Sequence, residues 1–378
     1  MNHRRIKWGL LGGGADSLIG IVHRVAAHTA ARYELVGGVF SATGATGARF
    51  ASDLQLDPSR SHASVEAMIE AENSLPEHER IQVVTVATPN YLHYDMAAML
   101  IRGGFNVICE KPITTTVAEA LDLAELLRAR DSVFAVAHTY TGYPMVRQMR
   151  EMISAGAIGA VHKVDAQYYQ GWVNAVLHDE AKRSTVWRLD PARGGPSSCF
   201  GDIGVHAFNL IEYTTGLDVR EALADLDTLY PSNPLDVDGN VLLRLSNGAK
   251  GVLSASQVAT GEANNLQIAV YGRAGGLKWA QENPGELQFL QEGKPLSILK
   301  PGYAFNLPAA RDASKLPPGH PEGFIDAMAN IYRGVARAIL QEPYERGAFP
   351  TILDGVRGMR FVTAVLQSAE TGGTWVAI

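Results

Sequence analysis

Within the first 140 residues, short apolar runs recur between segments of helical pattern, and the runs are apolar on both faces. "IKWGLLG" (6–12), "YELVGGVFS" (33–41), "IQVVTVATP" (81–89), "NVICEKP" (106–112) and "VFAVAHTY" (133–140) have this character. A strand that is apolar on both faces must be covered on both. The segments between these runs can supply that cover, the clearest being 116–130. There Thr116 and Glu119 have capping-box spacing, and Ala120, Leu123, Ala124 and Leu127 make one stripe. Strand–helix alternation of this kind predicts a parallel, doubly wound sheet of Rossmann type.

After about residue 158 the pattern changes. A strand at 160–172 leads into a polar stretch, 173–199, and then a helix-like segment "DIGVHAFNLIEYTTG" (202–216). "NVLLRLSNGAKGVLSASQV" (240–258) reads as a hairpin turning at Asn247-Gly248, where both central positions favour positive φ. Further strands are expected at 265–272, 276–281, 286–291 and 295–300, a loop at 316–323, and amphipathic helices at 324–341 and 352–370. The expected architecture is therefore α/β, with a Rossmann domain over 1–140 and an α+β domain over 141–378 carrying a large, mostly antiparallel, open-faced sheet. A length of 378 residues suits two such cores.

Composition removes several classes of function. A net charge of −6 gives no diffuse positive field to hold nucleic acid or an anionic membrane. No run of about 18 apolar residues is present, and the N-terminal "MNHRRIKWGLLGGG" lacks the apolar stretch of a signal peptide. Two cysteines, Cys109 and Cys199, make no framework of bridges, and the histidines lack metal-ligand spacing. A soluble protein of the reducing cytoplasm, without a metal, is the expectation.

"GLLGGGADSLIGIVHRVAA" (9–27) lies where the first strand should turn into the first helix. Gly12 and Gly14 would allow a tight turn and close approach of a pyrophosphate to the helix start. The third glycine of GxGxxG is displaced: Ser17 holds its place and Gly20 follows three residues later. At the end of the second strand, where an acid usually binds the ribose hydroxyls, stands Ser41. NAD is the expected cofactor, and nothing at Ser41 excludes NADP, whose phosphate Arg49 could reach.

Lys111 follows the apolar run 107–109 and precedes Pro112. In a doubly wound sheet such a position lies at a strand's carboxyl end, where ligands bind. Asp202 and His206, four residues apart, would share one face of a helix start. Oxidation of a secondary alcohol needs a base for the hydroxyl proton and a cation for the developing oxyanion. His206 suits the first task and Lys111 the second, with Asp202 orienting the imidazole or binding the neighbouring hydroxyl. "QYYQGWVN" (167–174) offers rings and amides suited to a sugar, with Gln170, Trp172 and Asn174 on one side of a strand by period two.

"GGGADSLIG…VHR", "VATPNYLHY", "EKPITTT", "WRLDPARGG" and "GDIGVHAFNL" resemble the glucose-fructose oxidoreductase, inositol dehydrogenase and rhizopine catabolism (Gfo/Idh/MocA) family over nearly the whole chain. The lengthened "SLIGIVHR" loop is similar to the branch that includes levoglucosan dehydrogenase. The resemblance implies catalytic roles for Lys111, Asp202 and His206. It implies cofactor contacts at Gly12, Gly14, Ser17, Leu18, Ile19, Ser41, Thr88, Asn90, His93, Glu110, Lys111, Trp187 and Arg188. Substrate contacts at Tyr140 and His320 follow in the same way, beside Lys111, Asp202 and His206, while Gln170 and Trp172 are expected from the make-up of "QYYQGWVN" itself. Local roles compete for several of these: an N-cap at Asn90, packing at Trp187, a solvated face at Arg188.

The expected activity is NAD-dependent oxidation of a secondary hydroxyl on a cyclic sugar or polyol, such as an anhydrosugar, an inositol or a glycoside. The competing readings are an NADPH-dependent ketosugar reductase, a glycosidase working through transient oxidation, and a non-enzymatic nucleotide-dependent sensor. The resemblance also implies a homodimer or homotetramer formed through the C-terminal sheet.

Overall fold

The computed structural model describes residues 5–15, 17–230 and 233–378; the N-terminal "MNHR" (1–4) and Asp16 of the glycine loop lie outside the described residues. The chain divides into two units. The first holds the residues up to Thr139 with Met328–Val356, and the second Tyr140–Ala327 with Arg357–Ile378.

In the first unit β1 (Ile6–Gly12), β2 (Tyr33–Val39), β3 (Val83–Ala87), β4 (Asn106–Cys109) and β5 (Phe134–Val136) pair in parallel, in the order β2-β1-β3-β4-β5. Every residue of β3 is buried, as a strand covered on both faces requires. Helices α1 (Leu18–Thr29), α2 (Gly44–Asp53), α3 (Val65–Ser74), α4 (His93–Arg102) and α5 (Val117–Arg128) alternate with the strands. The capping box at Thr116 and Glu119 is formed in both directions. Because β2 and β3 flank β1 on opposite sides, the strand order reverses there, and the carboxyl end of β1 is the switch point at which such sheets bind ligands.

Met328–Val356, which the sequence reading groups with the second half, packs in this first unit. The reason is an exposed sheet edge. Beyond β5 the Pro350 carbonyl accepts the Val136 N–H at 2.9 Å and Thr351 bridges Ala135, so the outermost strand is closed off.

The second unit is built on nine strands: β6 (Val161–Tyr169), β7 (Val219–Asp227), β8 (Asp238–Leu245), β9 (Lys250–Ser256), β10 (Asn265–Gly272), β11 (Gly276–Ala280), β12 (Leu287–Leu290), β13 (Ser297–Leu299) and β14 (Val376–Ala377). Their order is β13-β12-β11-β10-β6-β9-β8-β7-β14, antiparallel except for the central β6–β9 pair. One face carries the core, where α6 (Pro144–Ser154) and α7 (Val205–Thr215) pack and Phe208 stacks on Phe361 at 4.3 Å. The other face forms a polar hollow lined by residues such as Asp165, Gln167, Asn240, Ser254 and Lys278. The chain closes with α8 (Phe324–Ile339) and α9 (Ile352–Glu370).

Two strands, β7 and β14, are absent from the sequence reading. "VREALADLD" is rich in strong helix formers, yet Val219, Ala222 and Ala224 face the core from a strand paired along its length with β8. The strand expected at 160–172 stops at Tyr169, so Trp172 and Asn174 lie in a turn and a short helix, outside its period-two register.

Candidate active site

At the switch point the glycines are set by close approach. A Cβ on Gly12, whose φ is +73°, would stand 2.6 Å from the Ala87 carbonyl oxygen; one on Gly14 would stand 2.8 Å from that of Phe40. At Gly20 it would lie 2.3 Å from the Gly13 oxygen. Gly20 thus takes the part of the third glycine, letting α1 press onto the turn after β1, although it comes three residues later than the usual spacing. Ser17, in the usual place, is the N-cap of α1 and accepts the Gly20 N–H at 3.1 Å. The Arg24 guanidinium donates to the Gly13 carbonyl at 2.7 Å and closes the loop from the helix side. Leu18 is exposed and Ile19 half-buried beside it. Bare backbone leading into the N-terminus of a three-turn helix is a cradle that fits a pyrophosphate.

The other strand ends of the first unit carry the remaining cofactor-side residues. After β2, the Ser41 hydroxyl accepts the Thr43 N–H at 3.2 Å, in the turn that leads into α2. No acidic side chain stands in the first turn of α2. After β3, Thr88 is half-buried and Asn90 buried; Asn90 opens a single helical turn whose cap residue is Pro89. His93 is fully buried, with its ring nitrogens 2.8 Å from the Thr88 carbonyl and 2.7 Å from that of Pro112. It ties the loop after β3 to the loop after β4. Burial pushes its pKa down, against the two carbonyls, which favour the protonated ring.

After β4 comes Glu110, buried, then Lys111, half-buried and joined to Pro112 by a cis peptide. The Lys111 N–H donates to Glu110 Oε2 at 3.2 Å, and Glu110 Oε1 lies 3.1 Å from His23 Nε2. Burial would raise the Glu110 pKa, but the hydrogen bond to His23 and the charge of Lys111 outweigh it and hold the carboxyl below its ordinary value. Beyond β5, burial first and the Lys111 charge second depress His138 to about 3, so its ring stays neutral.

In the second unit Asp202 lies in a π-type turn, Phe200–Gly204, that runs into α7, and His206 is one residue into that helix. Widened turns of this kind recur at functional sites. Asp202 Oδ2 accepts Gln257 Nε2 at 3.1 Å, and Oδ1 is 3.6 Å from Arg188 Nε. Gln257 is itself fixed by the Ser198 hydroxyl, which donates to its Oε1 at 2.9 Å. Arg188 lies over the Trp187 ring at 4.4 Å, so this pair of expected cofactor contacts stands beside the Asp202 carboxylate.

His206 is buried, with its ring edge-on to Tyr140 at 4.9 Å. Tyr140 and Tyr168 share a hydrogen bond of 2.5 Å, and Tyr168 donates to Asn264 Oδ1 at 2.6 Å. Asn264 Nδ2 reaches back to Tyr140 at 3.4 Å. Gln170 donates to the same Asn264 oxygen at 2.8 Å, and Trp172 Nε1 donates to Gln170 Oε1 at 3.0 Å. Of the expected substrate-side residues in this unit, Tyr140, Gln170, Trp172, Asp202 and His206 have these partners. His320 is exposed, and its ring meets the Pro317 carbonyl of its own turn at 3.2 Å.

Residues 6–138 match the family described as "Oxidoreductase family, NAD-binding Rossmann fold", and residues 146–278 match the "GFO/IDH/MocA C-terminal domain". The uncharacterized oxidoreductase YfiI of Bacillus subtilis (strain 168) is 30% identical over 382 residues, which cover 98% of this chain and 96% of that one. The chain belongs to the Gfo/Idh/MocA family. It is an NAD(P)-dependent oxidoreductase whose first unit holds an NAD-binding Rossmann sheet. A solved structure of an inositol dehydrogenase homolog from Azotobacter vinelandii, complexed with NAD+, superposes with a TM-score of 0.92 at 32% identity, over 99% of this chain and 98% of that one. Levoglucosan dehydrogenase of Pseudarthrobacter phenanthrenivorans (strain DSM 18606 / JCM 16027 / LMG 23796 / Sphe3) is 29% identical over 231 residues, 55% of this chain and 57% of that one.

Several residues that the sequence reading does not single out as site candidates enter these clusters. Tyr168 shares strand parity with Gln170 and was legible in that way; His23 and Arg24 lie within the "VHR" of the family motif. Ser198, Gln257 and Asn264 leave no local signal.

The Gly20 contact yields a test. Gly20→Ala puts a methyl group against the Gly13 backbone, so α1 must move; stability should fall by about 1–3 kcal/mol. NAD binding should weaken at least tenfold, as read by thermal melts and calorimetric titration.

Proposed function

We propose that this oxidoreductase oxidises a secondary hydroxyl of a cyclic sugar or polyol to the ketone. The observation that carries this reading is the cluster around His206, where aromatic edges and side-chain amides surround a histidine and a pinned carboxylate. Sugars demand that combination, because their C–H faces pack on rings while their hydroxyls need paired donors and acceptors.

NAD, when bound, supplies the hydride acceptor. Gly12, Gly14 and the start of α1 would hold its pyrophosphate, with Ser41 at the adenosine ribose and Thr88, Asn90 and Glu110 further along. His206 takes the hydroxyl proton on a ring nitrogen, while the Lys111 ammonium donates to the same oxygen and steadies its developing charge. Asp202, held by Gln257 and Arg188, orients the imidazole. Tyr140, Gln170 and Trp172 meet the ring of the substrate, and His320 stands on an exposed loop that can close over it.

Lys111→Ala and His206→Ala should each lower kcat by about two to four orders of magnitude. Cofactor affinity should change little, as measured by fluorescence titration of the reduced nucleotide. Near-normal turnover in either variant would refute the assignment. Levoglucosan and myo-inositol head the substrate panel, because one similar protein is named levoglucosan dehydrogenase and a similar structure, an inositol dehydrogenase homolog, is complexed with NADH and myo-inositol. Run with NAD and NADP in parallel, the panel should show nucleotide reduction with a cyclic polyol. Since no acid at Ser41 repels a 2′-phosphate, measurable turnover with NADP is expected as well.

We further propose that a second copy of the chain covers the polar hollow on the open face of the nine-stranded sheet. The protein is then a homodimer or homotetramer of the cytoplasm, where Cys109 and Cys199, both buried, remain thiols. Light scattering coupled to size exclusion should return a multiple of 40.6 kDa. Introducing Glu at Ser254 and Gln267, both on that face, should drive the mass down to one chain.

A further inference from the structure

Beneath Lys111 runs a buried file of polar groups, all within the first unit. Trp8 Nε1 donates to Thr85 Oγ1 at 2.9 Å, Thr85 Oγ1 is 2.8 Å from the Tyr332 hydroxyl, and that hydroxyl is 2.9 Å from His23 Nδ1. His23 Nε2 then meets Glu110 Oε1, and Glu110 Oε2 accepts the Lys111 N–H. Trp8, His23, Thr85 and Tyr332 are essentially inaccessible to water, so each polar atom must be satisfied within the file.

The directions follow from the ends together with the need of each buried hydroxyl proton for an acceptor within the file. An indole N–H can only donate and a carboxylate can only accept. Thr85, having accepted from Trp8, passes its proton to the Tyr332 oxygen; Tyr332 passes its own to His23 Nδ1; and His23 donates from Nε2 to Glu110. The ring is therefore the neutral tautomer protonated at Nε2, an assignment that rests on the network as a whole.

We infer that this file is a positioning device for Lys111, in which His23 and Tyr332 act on the reaction without touching substrate by holding the Glu110 carboxylate against the Lys111 main chain. The inference rests on the proposed role of Lys111 in catalysis. Its physical content is that a displacement of about 1 Å at a reacting group costs on the order of 10²-fold in rate. Tyr332 also anchors this file to its surroundings: the Tyr33 hydroxyl donates to its main-chain carbonyl at 2.6 Å, and the rings of Trp8 and Tyr33 stand edge-on to its own.

The test compares His23→Leu, His23→Gln, Tyr332→Phe and Lys111→Ala in the full-length enzyme. His23→Leu should lower kcat on the order of 10²-fold with KM and NAD affinity nearly unchanged, since the cradle at Gly12 and the cluster at His206 are untouched. His23→Gln, whose amide keeps a donor toward Glu110, should recover most of that loss. Tyr332→Phe should lower kcat about tenfold and change the His23 ring signals in nitrogen-15 NMR from a single Nε2–H tautomer to a mixture. Should His23→Leu fail to fold, Tyr332→Phe decides alone. Wild-type kcat in Tyr332→Phe and in any folded His23→Leu, with Lys111→Ala inactive, overturns this inference and leaves the role of Lys111 standing. Full turnover in Lys111→Ala overturns that role instead.

Discussion

Backbone meets backbone where the first strand ends, and the rest of the nucleotide end depends on that contact. Gly20 lies so close to Gly13 that no side chain fits between α1 and the turn, while Gly12 and Gly14 are closed in by the carbonyls of Ala87 and Phe40. The consequence is a helix N-terminus brought directly to the switch point of the sheet, with main chain exposed toward a phosphate. Ser17 caps the helix in a place that glycine usually holds, so the insertion of three residues is absorbed without loss of the close approach.

The two units solve burial differently, and each solution sets the chemistry it can present. A parallel sheet covered on both faces leaves only its strand ends for function, so Gly12, Ser41, Thr88, Glu110, Lys111 and His138 gather along one edge. In the nine-stranded sheet one face is core and the other polar, and the candidate site residues lie on the strand β6, the turn before α7 and the segment before β10. Packing there fixes Tyr140 and Tyr168 in the same core that Phe208 and Phe361 share, and the buried His206 ring packs against both tyrosines.

Much of this was legible in the chain, and what was not has definite causes. The five parallel strands could be read because a short run that is apolar on both faces must be covered on both, which a parallel sheet between helices provides. β7 could not, since Glu221-Ala222-Leu223-Ala224 favours helix by local propensity and becomes strand only through its ladder with β8. The return of Met328–Val356 to the first unit leaves no local mark, because an amphipathic helix carries no label for the sheet it serves. For the same reason Tyr332 was invisible as a partner of His23, although the "VHR" motif itself was in view. Motif residues point to chemistry; the groups that hold them are specified by three-dimensional packing alone.

Two buried polar networks differ in a way that bears on what each can do. The file from Trp8 to Glu110 is open, with a donor-only and an acceptor-only end, so a change at one end is felt as an imposed direction at the other. The cluster of Tyr140, Tyr168 and Asn264 is closed: Asn264 Nδ2 donates to Tyr140, Tyr140 to Tyr168, and Tyr168 to Asn264 Oδ1. Both phenolic protons are directed inside that ring, and burial pushes the Tyr168 pKa well up, so its hydroxyl keeps its proton. The contrast lies in direction: the first network carries its hydrogen bonds from one end to the other, while the second returns them to the side chain from which they start.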